Sequence, residues 1–386
     1  MSKMELPLAA GRVALQVARE RVTDPRPTSL DEIPPSAGAV TPEWLTAALC
    51  RDVPGAQVID VAVSGGSDGT SSRRALRVTY NDAGRAAGLP TALFTKSAAS
   101  LQSRLLLVLS GVTEGETIFY RDLRPQLDRL RSPRAFHAAS DARSGRSIVV
   151  LEDLTAKGWT FPDPMRNAVS RQDAEDMVDQ MAYYHAAFWN RPPARLATTE
   201  QMQLRLNALG MYRRAEIGIE RARDVMPAAV YARKAELLPT TMRALRLNTT
   251  GTPTVLHQDV HQGNWLRDAD GRMGLYDWQA TARGEWALDY AYAMSVNLAP
   301  ADRRAWEREL LERYLARLSD EGVVRPPSFA EAWLRYRQQP FHVLIFALFT
   351  IGAGRLQPDM QPKDYMLRCL ERITTFIDDH DSLDAV

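Results

Sequence analysis

The sequence predicts an α+β protein, a smaller β-rich part followed by a larger helical one, and three observations carry that prediction. Short runs of β-branched and apolar residues, split by glycine, asparagine and proline, crowd the stretch from Val58 to Leu154. Beyond Leu154 such runs thin out, and apolar residues recur at helical spacing. At 386 residues the chain is also too long for one ordinary core.

Taken in order, residues 1–45 are mixed and punctuated by prolines, and read as an arm followed by a linker. Trp44 to Leu49 read as a short helix, with Thr41 as N-cap and Pro42 at the first helical position. "VIDVAVSGG", "RRALRVTY" and "TALFTKSA" read as strands, a helical segment follows around "EGETIFYRDLRPQL", and "SIVVLEDL" is a further strand. Residues 46–150 thus form a first lobe and residues 151–386 a helical second lobe, with "RQDAEDMVDQMAYYHAAFW" and "RAWERELLERYLARL" among its helices. A cleft between two such lobes is a common place for a ligand.

Composition narrows the function. A formal charge of +1 argues against a nucleic-acid binder, which needs a strong basic patch. Cys50 and Cys369 are too few and too far apart for a disulfide framework or a cysteine-rich zinc site. The N-terminus has no apolar core of signal-peptide type. The apolar run "FHVLIFALFTIGAG" is shorter than the roughly 20 residues a spanning helix needs. It reads as a buried helix, so the expectation is a cytoplasmic protein without membrane or nucleic-acid partners. Oligomeric state is not legible.

The densest chemistry lies in "VLHQDVHQGNWL", Val255 to Leu266. His257, Asp259 and His261 could grip a metal, but a catalytic zinc needs a third protein ligand and a water. The other histidines, His137, His185, His342 and His380, form no dense cluster. His257 is better read as a support of the loop backbone, and His261 as structural or near the cleft. Asp259 and Asn264 share one loop, and "DADGR" is a hairpin signal that returns "GLYDWQ", and with it Asp277, beside Asn264. An amide and a carboxylate there suit a hard magnesium ion, which frees Asp259 to take a proton from an attacking hydroxyl. Upstream, Lys96 stands in an apolar strand, where an unpaired ammonium is costly. Glu116, opening "ETIFY", is its expected helix partner in preference to Glu114. Ser64, Gly65, Gly66 and Ser67, within "SGGSDGTSSRR", could bring backbone amides near phosphate oxygens, as an ordinary hairpin loop could also do.

Together these segments resemble the aminoglycoside phosphotransferase and choline kinase-like superfamily, nearest its ecdysteroid kinase-like branch and bacterial relatives. His257, Asp259 and Asn264 stand where that family writes H-x-D-x-x-x-x-N. "YDWQATARGEWALDYA" is similar to its metal-binding segment, "LFTKSA" and "EGETIFYRDL" to its lysine and helix-glutamate elements, and "VVLEDL" to its hinge. The resemblance spans roughly residues 58–300 in the expected order. It implies a bilobal protein-kinase-like fold, with a five-stranded antiparallel sheet in the first lobe, and an ATP- and Mg2+-dependent transfer of phosphate to a small-molecule hydroxyl. It also implies the roles: Asp259 as base, Asn264 and Asp277 on magnesium, Lys96 and Glu116 on the phosphates. Asp289 would bond the loop backbone, and backbone groups near Glu152 and Leu154 would hold adenine. Gln258 departs from the small residue common before the family's aspartate, and the glycine stretch lacks protein-kinase spacing.

Only 11 residues separate Asp277 from Asp289, too few for a peptide-docking activation segment. The acceptor expected is therefore a small molecule. The apolar "RYRQQPFHVLIFALFTIGAGR" raises the expectation of an uncharged or apolar alcohol, although the run reads more readily as the core of the helical lobe. Two rival readings stand beside this one: a kinase-like module that binds nucleotide without transfer, and a His/Asp metal-dependent hydrolase.

Overall fold

The computed structural model describes residues 5–68, 71–354 and 361–386. The chain divides into two compact units, residues 1–128 with 133–159 and residues 129–132 with 160–386.

In the first unit, β1 (Val58–Asp68), β2 (Ser72–Tyr80), β3 (Ala92–Ser97), β4 (Ala135–Asp141) and β5 (Arg146–Glu152) form the expected five-stranded antiparallel sheet. Its order is β1-β2-β3-β5-β4. Alternation sorts the side chains: along β2, Leu76, Val78 and Tyr80 are buried while Arg77 and Thr79 face water. The inward set packs with Leu93, Ile148 and Val150 against Trp44, Leu45 and Leu49 of the helix Pro42–Leu49. That helix begins as expected, with the Thr41 hydroxyl accepting from Trp44 N at 3.1 Å. Burying the Trp44 indole, which also donates to Glu32 O, removes about 200 Å² from water, worth roughly 5 kcal/mol.

Three local features differ from the sequence reading. Residues 5–23, read as arm, form the helix Glu5–Thr23, which buries Ala9, Val13 and Val17 against Leu101, Leu105, Val108 and Leu109. Those partners lie on a second unassigned helix, Leu101–Ser110, opened by a Ser100–Ser103 capping box and closed by Gly111 in the left-handed region. The helical segment around Glu116 is three short pieces, an α-turn Gly115–Ile118, a π-turn Phe119–Leu123 and a 3-10 turn Arg124–Gln126. Pro125 has no N–H to continue an α-ladder, so the chain tightens there.

The second unit is mainly helical, built on Arg171–Ala187, Lys234–Thr250, Ala287–Asn297, Pro300–Asp320, Phe341–Ile351 and Lys363–Asp379 among others. Four short strands, β6 (Pro253–Leu256), β7 (Trp265–Arg267), β8 (Met273–Leu275) and β9 (Ala282–Glu285), pair as β6 with β9 and β7 with β8. Arg171–Ala187 starts at Ser170, which exchanges capping bonds with Asp173. The apolar helix Phe341–Ile351 buries most of its length in the core of this unit. Among the described residues no helix is long and apolar enough to cross a membrane. Elsewhere in this unit an aromatic cluster forms, with Trp286 stacked on Tyr314 at 4.7 Å and Tyr290 edge-on to Tyr336.

Candidate active site

The second unit builds the loop that follows β6. Its backbone is held first by Asp289, in the first turn of Ala287–Asn297. Asp289 Oδ2 accepts from His257 N at 2.7 Å and Oδ1 from Gln258 N at 2.8 Å. Oδ2 also takes the Tyr184 hydroxyl at 2.7 Å. Burial alone would raise this carboxyl, but His185, His257 and the loop amide outweigh it and hold Asp289 below the ordinary aspartate value. The loop needs such restraint, because Gln258 sits at φ +64° in the left-handed region. His342 adds another restraint, its Nε2 donating to Gln258 O at 3.2 Å. His342 Nδ1 must then be an acceptor, so Gln203 Nε2 donates to it at 2.9 Å.

His257 has no ring nitrogen left for a metal. Nε2 faces the Tyr276 carbonyl at 2.9 Å and so carries the proton, while Nδ1 accepts from Asp259 N at 3.2 Å. Burial lowers its proton affinity, and the ring is neutral. His261 Nδ1 accepts from Gly263 N at 3.0 Å, which caps the turn Gln262–Asn264. Among the described residues no three His, Cys, Asp or Glu side chains gather as a metal-ligand set. Both histidines brace the loop through Nδ1, and His261 Nε2 lies 3.7 Å from Asp259 Oδ1.

Asp259 itself projects from this frame, its side chain 43% exposed. Oδ1 accepts the Tyr292 hydroxyl at 2.9 Å and Oδ2 accepts Asn264 Nδ2 at 3.0 Å. Burial, and then the Asp259 charge, raise Tyr292 well above the ordinary tyrosine value, so it stays a donor. Asn264 Nδ2 also donates to Asp259 O at 2.7 Å. Both partners are acceptors, so the amide NH2 must face them and the amide oxygen points elsewhere, free to act as an oxygen ligand. Past Asn264 the chain enters β7, turns at Asp268–Arg272 with Gly271 at φ +79°, and returns as β8. Trp265 pairs with Leu275, and Tyr276 N donates to Asn264 O at 3.0 Å. Asp277 follows directly, held in the left-handed region at φ 63° and ψ 61°. An amide oxygen and a carboxylate at adjoining positions of one hairpin are a donor set that fits a hard divalent cation.

Tyr292, Tyr184 and His342 escape the sequence reading. Tyr292 had a signal: it lies one helical turn after Asp289, on the same face. Tyr184 and His342 reach the loop from distant helices, and nothing in their spacing announces it.

In the first unit, Lys96 lies on β3 opposite Arg73 and Val149, only 6% exposed, and its Nζ meets Glu116 Oε1 at 3.0 Å. Glu114 instead stands at the N-cap of the α-turn that carries Glu116. Ser64, Gly65, Gly66 and Ser67 are not a free loop but the exposed end of β1, which pairs with β2 on both sides of a bulge. Gly65 and Gly66 supply the positive φ of that bulge, +56° and +100°. Gly69 and Thr70 lie outside the described residues. Glu152 ends β5 opposite Leu93, its Oε1 taking Arg134 N at 2.8 Å and its Oε2 pairing with Lys157. Leu154 is buried, and its carbonyl accepts from Lys157 N and Trp159 N.

Residues 108–327, more than half of the chain, match the profile of the phosphotransferase enzyme family, APH. The chain belongs to that family. The match takes in Glu116, Asp259, Asn264, Asp277 and Asp289, and begins after Lys96 and the glycine stretch. No curated protein matches the phosphotransferase chain. Among solved structures it is similar to a choline kinase from Streptococcus pneumoniae, at 15% identity, covering 83% of this chain and 94% of that one with a TM-score of 0.45. It is similar to a choline kinase from Cryptosporidium parvum, at 12% identity, 87% and 94% coverage and a TM-score of 0.47. A similar aminoglycoside phosphotransferase from Alicyclobacillus acidocaldarius shares 12% identity, with 90% and 98% coverage and a TM-score of 0.43.

Proposed function

We propose that this phosphotransferase moves the γ-phosphate of ATP to a hydroxyl group of a small molecule, with Asp259 as the base and magnesium as the cofactor. One observation carries the reading: Asp259 is an exposed carboxylate on a loop otherwise immobilised, with Tyr292 and Asn264 fixing its two oxygens. A carboxylate so held still has lone pairs free to accept the proton of an incoming hydroxyl and to line that oxygen up for attack. Transfer through a loose transition state asks for positioning and charge neutralisation more than covalent help.

The other roles follow from chemistry. Asn264 and Asp277 would hold the magnesium ion, whose charge would offset that of the phosphates. Lys96, kept extended by Glu116, would meet the α- and β-phosphates, and backbone amides of Ser64 to Ser67 would approach phosphate oxygens. Backbone groups near Glu152 and Leu154, other than the Leu154 carbonyl already taken by Lys157 and Trp159, would take the adenine. The acceptor is a small hydroxylated molecule. The apolar helix Phe341–Ile351 no longer argues for an apolar one, because its residues are spent on the core of their own unit.

The test is ADP release from ATP with and without magnesium, against pooled alcohols, antibiotics and sterols. The expected result is a magnesium-dependent release that one pool raises well above background hydrolysis. Magnesium-dependent ATP binding with no transfer to any pool would replace this reading with that of a nucleotide-binding module.

A further inference from the structure

We infer that Glu20 is a positioning residue for the nucleotide, acting through Arg104 and Arg146 on the strands around Lys96; this rests on the phosphate role proposed above for Lys96. Glu20 lies on the N-terminal helix Glu5–Thr23, far in sequence from every residue of the site. Its carboxylate is buried and crowded with donors. Oε1 accepts from Arg104 Nη1 at 2.9 Å, Arg146 Nε at 2.8 Å and Gln16 Nε2 at 2.9 Å, and Oε2 lies 2.7 Å from Arg104 Nη2. Burial would raise this carboxyl, but the Arg104, Gln16 and Arg146 bonds outweigh it and keep Glu20 ionised.

Arg104 is 1% exposed, so its charge has no water to fall back on. Its remaining bonds tie other parts of the unit together. Nε donates to Ala98 O at 2.8 Å and Nη2 to Pro35 O at 3.1 Å. Ala98 follows the end of β3, two residues past Lys96, and its N–H donates to Ser147 O at 3.1 Å. Arg146 opens β5, the strand whose Val149 pairs with Lys96, and its Nη1 donates to Ile33 O at 2.9 Å. Arg104 also belongs to Leu101–Ser110, the helix that joins the Lys96 strand to the turn bearing Glu116. One carboxylate therefore bonds two guanidinium groups, one on the segment that follows β3 and one at the start of β5, at the ends flanking Lys96. Without it, Arg104 would be a buried, uncompensated cation and would turn away from Ala98. The Lys96–Glu116 pair would then lose its fixed place in the sheet.

The experiment measures magnesium–ATP affinity by calorimetry on the full chain, for wild type, Glu20→Gln, Lys96→Ala and the double variant, alongside melting temperature. Glu20→Gln is expected to weaken binding about tenfold or more, since misplacement of a binding group by a fraction of an ångström to an ångström is costly. The double variant is expected to bind no more weakly than Lys96→Ala alone, because Glu20 acts through Lys96. A merely structural glutamate would lower the melting temperature and leave affinity unchanged, or add its effect to that of Lys96→Ala; either result overturns the inference. Unchanged affinity in Lys96→Ala would overturn the phosphate role of Lys96 instead. If Glu20→Gln does not fold, Glu20→Asp keeps the charge but shortens the reach to the two arginines, and the same cycle is read with it.

Discussion

The loop around Asp259 and the glycine–serine stretch of β1 are both short polar segments, yet they are built in opposite ways. Around Asp259, side chains from other elements hold the backbone: Asp289 takes two of its amides, His342 donates to a carbonyl, and His257 closes the turn from within. Ser64 to Ser67 are held by strand pairing and a single Arg74 guanidinium bond to Ser67 O, bent by two glycines and open to water. The first arrangement fixes where one carboxylate points. The second offers backbone amides and the hydroxyls of Ser64 and Ser67. Chemistry that depends on a side chain needs the first, and contact with a ligand's charged oxygens can use the second.

Breaking the first region should have the largest effect. Asp289→Ala strips the acceptor from two buried loop amides and the Tyr184 hydroxyl. The expected cost is about 3 kcal/mol or more by urea denaturation, since each buried donor left unpaired costs about 1–3 kcal/mol. In the second region the two glycines should part company. A Cβ on Gly66 would fall 1.8 Å from Arg73 O, against backbone that cannot step aside. Gly66→Ala is expected to lose about 2–3 kcal/mol as the bulge shifts register. A Cβ on Gly65 meets nothing within 4 Å, so Gly65→Ala should cost only about 1 kcal/mol, the strain of its positive φ. Equal losses at the two positions would mean that the bulge is not paired as described.

Two buried groups near the loop should give pH slopes of opposite sign. Burial pushes Glu285 up to about 7 despite Arg335 beside it. The folded chain then keeps a proton that the unfolded chain releases, so this contribution is full below about pH 4.3 and falls through pH 7. Glu285→Gln should flatten that part of the stability curve, a change of roughly 3–4 kcal/mol. His342 is held down to about 4 by burial. Its contribution is full above about pH 6.5 and lost as pH falls through 4, a slope that His342→Gln should remove in the same denaturation series.

Much of the comparison was readable in advance, for a physical reason. Asp259, Asn264 and Asp277 announce themselves because they are polar groups at close spacing around a hairpin whose turn residues are explicit. Lys96 stood out because an ammonium in an apolar strand demands a partner, and Glu116 is that partner. The helix Glu5–Thr23 was not legible. It buries Ala9, Val13 and Val17 on one face but exposes Leu8, Leu15 and Val22 on the other, which erases the one-sided stripe that marks a surface helix. Leu101–Ser110 hides for a similar reason, its run from Leu105 to Leu109 being apolar on every side. Tyr184 and His342 reach their partners across long stretches of chain, and no local pattern records such a bond.

The central claim is that Asp259 serves the transfer of phosphate and not the holding of nucleotide. It is tested most directly by Asp259→Asn, an isostere that keeps the Tyr292 and Asn264 side chains within reach but cannot take a proton. ATP turnover with an accepted substrate and magnesium–ATP affinity are measured on the same preparation. Turnover is expected to fall by about 10²–10⁴, the range of a lost general base, with affinity changed less than threefold. Turnover close to wild type, or affinity lost together with turnover, would contradict the role assigned to Asp259.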